Sequence, residues 1–183
     1  MDYNRYKEIQ VSRSNEKWSS KTFIVHGKNN LDQQMIFFRD NYEKPESIIC
    51  LGIRNGNEYE FFKDCKYTRP CEVYGVDINI NVKSVGQNCY CYDFSKLPKD
   101  WGNKFDLVYS NSIDHAYDLD ETINEWHRIC KKYCLITFSK QTRGGADRFS
   151  FDIDKIEKLT DKYFDILKVW EYKKYISVLF KKK

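Results

Sequence analysis

Four places in this 183-residue sequence put chemically versatile residues directly after short apolar runs. Ser47-Ile48-Ile49-Cys50-Leu51 leads into Gly52-Ile53-Arg54-Asn55-Gly56, Glu72 to Val76 into Asp77, Asn88 to Tyr92 into Asp93, and Phe105 to Tyr109 into Ser110-Asn111. A glycine-bearing turn lets backbone approach a ligand where a Cβ would obstruct it. A helix starting at Asn57 aims its N-terminus at that turn and favours a carboxylate or phosphate there. Asp77 lies 25 residues after Gly52, at the next strand end, where an acid commonly grips ribose hydroxyls. Asp93 is placed to accept a hydrogen bond from a base amino group. Beyond Asn111 comes Asp114-His115. Imidazole is the commonest general base, and the adjacent carboxylate is suited to orienting it; the alternative for His115 is a place in the wall of the site.

These residues need a scaffold that brings strand ends together. Apolar runs at 47–51, 72–76, 88–92, 105–109 and 133–138 alternate with amphipathic stretches, which predicts a parallel sheet with helices on both faces. The clearest helix starts at Asp118, with Glu121 three residues on as a capping box and Leu119, Ile123, Trp126 and Cys130 at helical spacing. Ile153, Ile156, Leu159 and Tyr163 mark another. Phe164 to Glu171 and Tyr175 to Phe180 close the chain as a hairpin, making the last strand antiparallel. Ligands bind such sheets outside the carboxyl ends of the strands. Arg54 stands where a dinucleotide site needs its second glycine, and the G-x-x-x-x-G-K-[ST] phosphate loop is missing. A ligand with a ribose, a base and a single carboxylate fits better, and S-adenosylmethionine is one.

At these residues the sequence resembles the class I S-adenosylmethionine-dependent methyltransferases, over about Ser47 to the C-terminus. The segments that carry it are Ile49 to Glu58, Val73-Tyr74-Gly75-Val76-Asp77-Ile78, Tyr92 to Pro98, and Phe105 to Ser112. The resemblance implies a Rossmann-like, doubly wound α/β sheet of seven strands in the order 3-2-1-4-5-7-6, with S-adenosyl-L-methionine as cofactor. It implies Gly52, Arg54 and Gly56 around the methionine part, Asp77 with Ile78 at the ribose, Asp93 with Phe94 at the adenine, and Ser110 and Asn111 completing the site. His115 and Asp114 are the catalytic candidates. Three features depart from the family pattern. Cys50 replaces the usual acid of the first strand. Arg54 replaces the middle glycine, as in a subgroup reading G-x-R-x-G-x-E, and is suited either to the cofactor carboxylate or to Glu58. Cys130-Lys131-Lys132-Tyr133 replaces the usual Pro-Gly turn.

Length and composition fit one globular domain: 41% hydrophobic, 32% charged, 8 Gly and 3 Pro. Residues 1–46 are expected to be an N-terminal helical or lid segment, with a helix over Leu31 to Tyr42 and a loosely ordered first 20 residues. Residues 47–183 are expected to be the methyltransferase domain. No apolar run is long enough to span a bilayer and the N-terminus is charged, so neither membrane insertion nor a secretory signal is expected. Seven cysteines without C-x-x-C spacing suggest free thiols in a reducing, cytoplasmic setting, and no metal is expected. Only Lys181-Lys182-Lys183 is a dense basic run within a net charge of +4. It reads as a frayed tail, and a nucleic-acid partner is disfavoured. The oligomeric state is not legible. Of the other histidines, His127 reads as packing and His26 has no assignment. Arg143 and Arg148 read as a solvated loop or as holders of an anionic substrate. The expected reaction is methylation of a small-molecule or glycan hydroxyl. An RNA or protein methyltransferase, or a non-catalytic relative, is the alternative.

Overall fold

A computed structural model describes residues 1–16, 18, 27–142 and 148–183. Strands β1 (Ser47–Leu51), β2 (Glu72–Asp77), β3 (Cys89–Cys91), β4 (Phe105–Ser110), β5 (Cys130–Ser139), β6 (Phe164–Glu171) and β7 (Tyr175–Lys182) form one sheet in the order β3-β2-β1-β4-β5-β7-β6. The first five are parallel, and β7 runs antiparallel to both β5 and β6. The order and the antiparallel last strand are those expected.

Successive side chains of a strand point to opposite faces, and here both faces are covered. Ile49, Leu51 and Val108 point to one core, and Ile48, Cys50, Leu107 and Tyr109 to the other. The first core is closed by α4 (Leu119–Ile129) and α5 (Ile153–Thr160) through Ile123, Trp126, Ile129 and Ile156. The second is closed by α2 (Gly27–Asn41) and α3 (Asn57–Asp64) through Leu31, Met35, Phe38, Phe61 and Phe62. Within residues 1–46, α2 is thus a packed layer of the fold.

The capping box forms as read: the Asp118 carboxylate accepts from the Glu121 N–H at 2.9 Å. Asp152 caps α5 in the same way. At the opposite, amino-terminal edge of the sheet, buried Asp106 accepts from the Glu46 N–H at 2.9 Å and lies 3.5 and 3.7 Å from the Lys131 and Lys132 ammoniums. Burial raises its pKa, but that N–H and the two ammoniums outweigh burial and hold it below the ordinary carboxylate value. The lysine pair that replaces a Pro-Gly turn therefore neutralises a buried acid.

Three expectations are corrected. The first 20 residues are not loosely ordered throughout: Tyr3–Glu16 form α1, although only Tyr6 and Ser14 of it are buried. So few apolar contacts leave no periodic signal to read. Cys130 does not end α4 but opens β5, so Cys130 and Cys134 share one strand. The basic tail is not frayed. Lys181 and Lys182 belong to β7, and the Lys182 ammonium donates to the Cys130 carbonyl at 2.8 Å and to Asn103 Oδ1 at 2.6 Å.

All seven cysteines are free. Among the described residues, no three metal-ligating side chains cluster, and no helix is long and apolar enough to cross a membrane.

Two glycines offer a paired test of the turns. Gly56 sits at φ 87°, and a Cβ there would come within 2.2 Å of Val85 Cγ1. Gly102 sits at φ −57°, and its Cβ would come no nearer than 3.8 Å to Arg128. Left-handed strain plus overpacking should make Gly56→Ala lower stability by about 2–4 kcal/mol in urea titrations, with Gly102→Ala within about 1 kcal/mol of wild type.

Candidate functional site

The carboxyl ends of β1 to β4 converge on one cleft, and backbone hydrogen bonds fix its floor. The Gly52 and Ile53 N–H groups both donate to the Val76 carbonyl, at 2.8 and 3.1 Å, tying the turn after β1 to β2. Gly52 is left-handed at φ 79°, and a Cβ there would meet Ser112 at 2.7 Å. Arg54 also has positive φ, 46°, which turns its N–H onto Asp77 Oδ2 at 2.7 Å. Asp77 Oδ1 accepts from the Asn79 N–H at 2.9 Å. Burial pushes the Asp77 carboxyl up, against the pull of these two N–H groups and of the Arg54 and His115 charges.

After β3, Asp93 Oδ1 accepts from the Ser95 N–H at 2.8 Å and Oδ2 from the Tyr3 hydroxyl at 2.6 Å. Phe94 is held by its carbonyl, which accepts from Trp126 Nε1 at 3.1 Å, and by an edge contact with that indole. The cleft walls are therefore Gly52, Arg54, Asp77, Ile78, Asp93, Phe94, Ser112 and His115, with Tyr6, Gln10, Arg13 and Ser14 of α1 across its mouth.

The remaining residues singled out in the sequence stand behind this surface. Ser110 is buried; its hydroxyl donates to the Leu51 carbonyl and accepts from the Ser112 N–H, joining β4 to β1. Asn111 donates to Glu58 Oε1 at 2.7 Å and accepts from the Ser112 hydroxyl at 3.0 Å. Gly56 starts α3 away from the cleft. Asp114 Oδ1 stands 4.0 Å from His115 Nε2, too far for a hydrogen bond, while its carbonyl accepts from the Arg148 N–H. Arg148 also donates to the Tyr117 carbonyl, so it braces the segment after β4. His127 packs between Tyr163 and Phe164. His26 and Arg143 lie outside the described residues.

Sequence reading gives Ser112 and the individual α1 residues no place in the site, and Glu58 only that of an alternative partner for Arg54. Ser112 directly follows the motif at the end of β4, and Glu58 is the last letter of G-x-R-x-G-x-E. Alpha1 gave no usable signal. The Arg54–Glu58 pairing considered above is not made: no ion pair links them, and Glu58 is held by Asn111 instead.

Glu58 also yields a test of the site's electrostatics. Burial raises its pKa above the ordinary carboxyl value, the largest effect on it, with the Asn111 hydrogen bond and the Arg54 charge acting in the opposite direction. A carboxyl with a raised folded-state pKa penalises folding once it must ionise. Wild type should therefore lose stability as pH rises from the unfolded value through the raised one. Glu58→Gln keeps the acceptor for Asn111 and removes that loss. Its urea midpoint should match wild type at acidic pH and exceed it at neutral pH, the difference growing through the raised pKa and then levelling; a constant difference from acidic to neutral pH would count against the raised pKa.

Residues 49–138, from β1 through β5, match a family described as the methyltransferase domain. The fold is similar to that of magnesium protoporphyrin IX methyltransferase from Synechocystis PCC 6803 with bound S-adenosylhomocysteine (TM-score 0.69, 14% identity, 98% of this chain and 99% of that one). It is also similar to a SAM dependent methyltransferase from Aquifex aeolicus (TM-score 0.67, 14% identity, 94% and 98%). A third similar structure is the N-methyltransferase NodS from Bradyrhizobium japonicum WM9 in complex with S-adenosylhomocysteine (TM-score 0.70, 7% identity, 94% and 98%). No curated protein sequence matches. Residues 49–138 are thus similar to a methyltransferase domain, and the whole chain has the Rossmann-like fold of these methyltransferases.

Proposed function

We propose that the cleft binds S-adenosylmethionine and that the protein methylates a hydroxyl of a small molecule or glycan. The observation that carries the cofactor reading is the pair of carboxylates, Asp77 and Asp93, at successive strand ends on one cleft between the apolar walls Ile78 and Phe94. That donor set fits an adenosyl group. Asp77 is suited to the ribose hydroxyls, Asp93 to the adenine amino group and Ile78 and Phe94 to the ring faces. The Gly52 turn and Arg54 are suited to the amino-acid end. Ser110, Asn111 and Gly56 act behind the surface, holding the strand ends and the start of α3 in register. When bound, the cofactor supplies a sulfonium-activated methyl group for in-line displacement.

The chain's own contribution is alignment and the handling of one proton. Among the described residues, His115 is the only imidazole lining the cleft, with its side chain 26% exposed. It is the base assigned to the acceptor hydroxyl, and Asp114, at 4.0 Å, acts on it through space. A general base contributes typically 10²–10⁴-fold to rate.

Calorimetry with S-adenosylhomocysteine tests the first half of this reading. Wild type should bind, and Asp77→Ala should weaken binding by roughly tenfold or more through the lost charged hydrogen bonds. Unchanged affinity in a folded variant would move the ribose elsewhere. Transfer of a radiolabelled methyl group to a panel of phenols and sugars tests the second half. On any acceptor that is methylated, His115→Ala should lower kcat about a hundredfold with cofactor affinity nearly unchanged. A loss confined to cofactor affinity would make His115 part of the cleft wall instead.

A further inference from the structure

Alpha1 lies across the cleft with an unusual set of contacts. Its first turn puts the Tyr3 hydroxyl 2.6 Å from Asp93 Oδ2, the acceptor assigned above to the adenine amino group. Burial and the Asp93 carboxylate both raise the Tyr3 pKa, so the phenol is the donor. The Tyr6 hydroxyl donates to the His115 carbonyl at 2.5 Å. At the far end of the helix, Asn79 donates to Ser14 Oγ at 3.2 Å and to Asn15 Oδ1 at 2.7 Å, two residues beyond Asp77. With α1 in this position the cleft holds about 60 Å³, whereas sites for ligands of this size span roughly 300–1,000 Å³.

We propose that α1 is an autoinhibitory strap over the cofactor site, in which the Tyr3 phenol occupies Asp93 in place of the adenine amino group, so that cofactor binding requires α1 to lift. The proposal rests on the cofactor reading given above. The strap is built to release. Of its 14 residues only Tyr6 and Ser14 are buried. Other described contacts of its first turns are with side chains at the rim: the Lys96 ammonium lies 4.4 Å from the Tyr3 ring centroid, and the Tyr117 ring stands 5.5 Å from Tyr3 and 5.3 Å from Tyr6. Apparent affinity then equals the intrinsic affinity scaled by the fraction of molecules with the strap lifted.

Two variants test this by calorimetry with S-adenosylhomocysteine. Tyr3→Phe removes the competing donor and leaves Asp93 intact, so it should bind roughly threefold to tenfold more tightly than wild type. Ser14→Cys with Asn79→Cys sets two thiols at the far end of α1, where the native side chains already touch. Oxidised, the strap is tied down and affinity should fall at least about tenfold; reduced, the pair lacks the Asn79 bonds to Ser14 and Asn15 and should bind at least as tightly as wild type. Unchanged or weaker binding by Tyr3→Phe, or an oxidised pair that binds as well as the reduced one, overturns the strap. Absence of binding by wild type, Tyr3→Phe and the reduced pair alike overturns the cofactor reading, and the strap falls with it.

Discussion

The buried Asp77 carboxylate is the constraint on which the functional end of the molecule depends. It ends β2 nearly without solvent, and it has two backbone N–H donors, from Arg54 and Asn79. A buried charge is tolerable only when its lone pairs are satisfied, so the turn after β1 and the turn after β2 must both close onto it. That requirement accounts for the left-handed Arg54, which a longer and looser turn would avoid. It also accounts for the parallel register of β1 and β2, which delivers Leu51 and Val76 side by side just before the two turns. The fold puts a polar group where packing alone would not, which is the usual mark of a site.

Behind this carboxylate a second network does the structural work that the motif residues suggested in a different sense. Ser110, Asn111 and Glu58 are ligand-like in type, yet they join β4 to β1 and to α3. Cys50 leaves the first strand without an acid, and Glu58 brings a carboxylate into the same region from the neighbouring helix: its charge acts on the Cys50 thiol, pushing that pKa further up after burial.

The sheet was legible because its strands are short apolar runs bounded by turn residues, and α4 because its cap follows a local rule of spacing. The pocket-facing acids were legible because parallel strands deliver their C-terminal residues to one edge. What stayed illegible is non-local. Nothing in Tyr3 announces a hydrogen bond to Asp93, 90 positions away, and nothing in Lys182 announces a bond to the Cys130 carbonyl. Whether Asn111 faces ligand or protein depends on which side chain arrives from α3. Alpha1 has no apolar stripe, so its placement rests on scattered polar contacts that periodicity cannot detect.

The position of β7 has a consequence for how the chain assembles. This strand is late in sequence but interior in space, with β5 on one side and β6 on the other. Until Tyr175 to Lys182 are available, β5 presents an unpaired outer edge carrying Leu135, Ile136 and Phe138, and β6 has no neighbour at all. On a ribosome the parallel half of the sheet can therefore form early while its other margin waits as an open template, the situation in which strands add to the wrong chain. The lysines at the end of β7 lie on the segment that closes this gap. Their charge lets a strand bearing Ile176, Val178, Leu179 and Phe180 remain solvated until it reaches its place between β5 and β6.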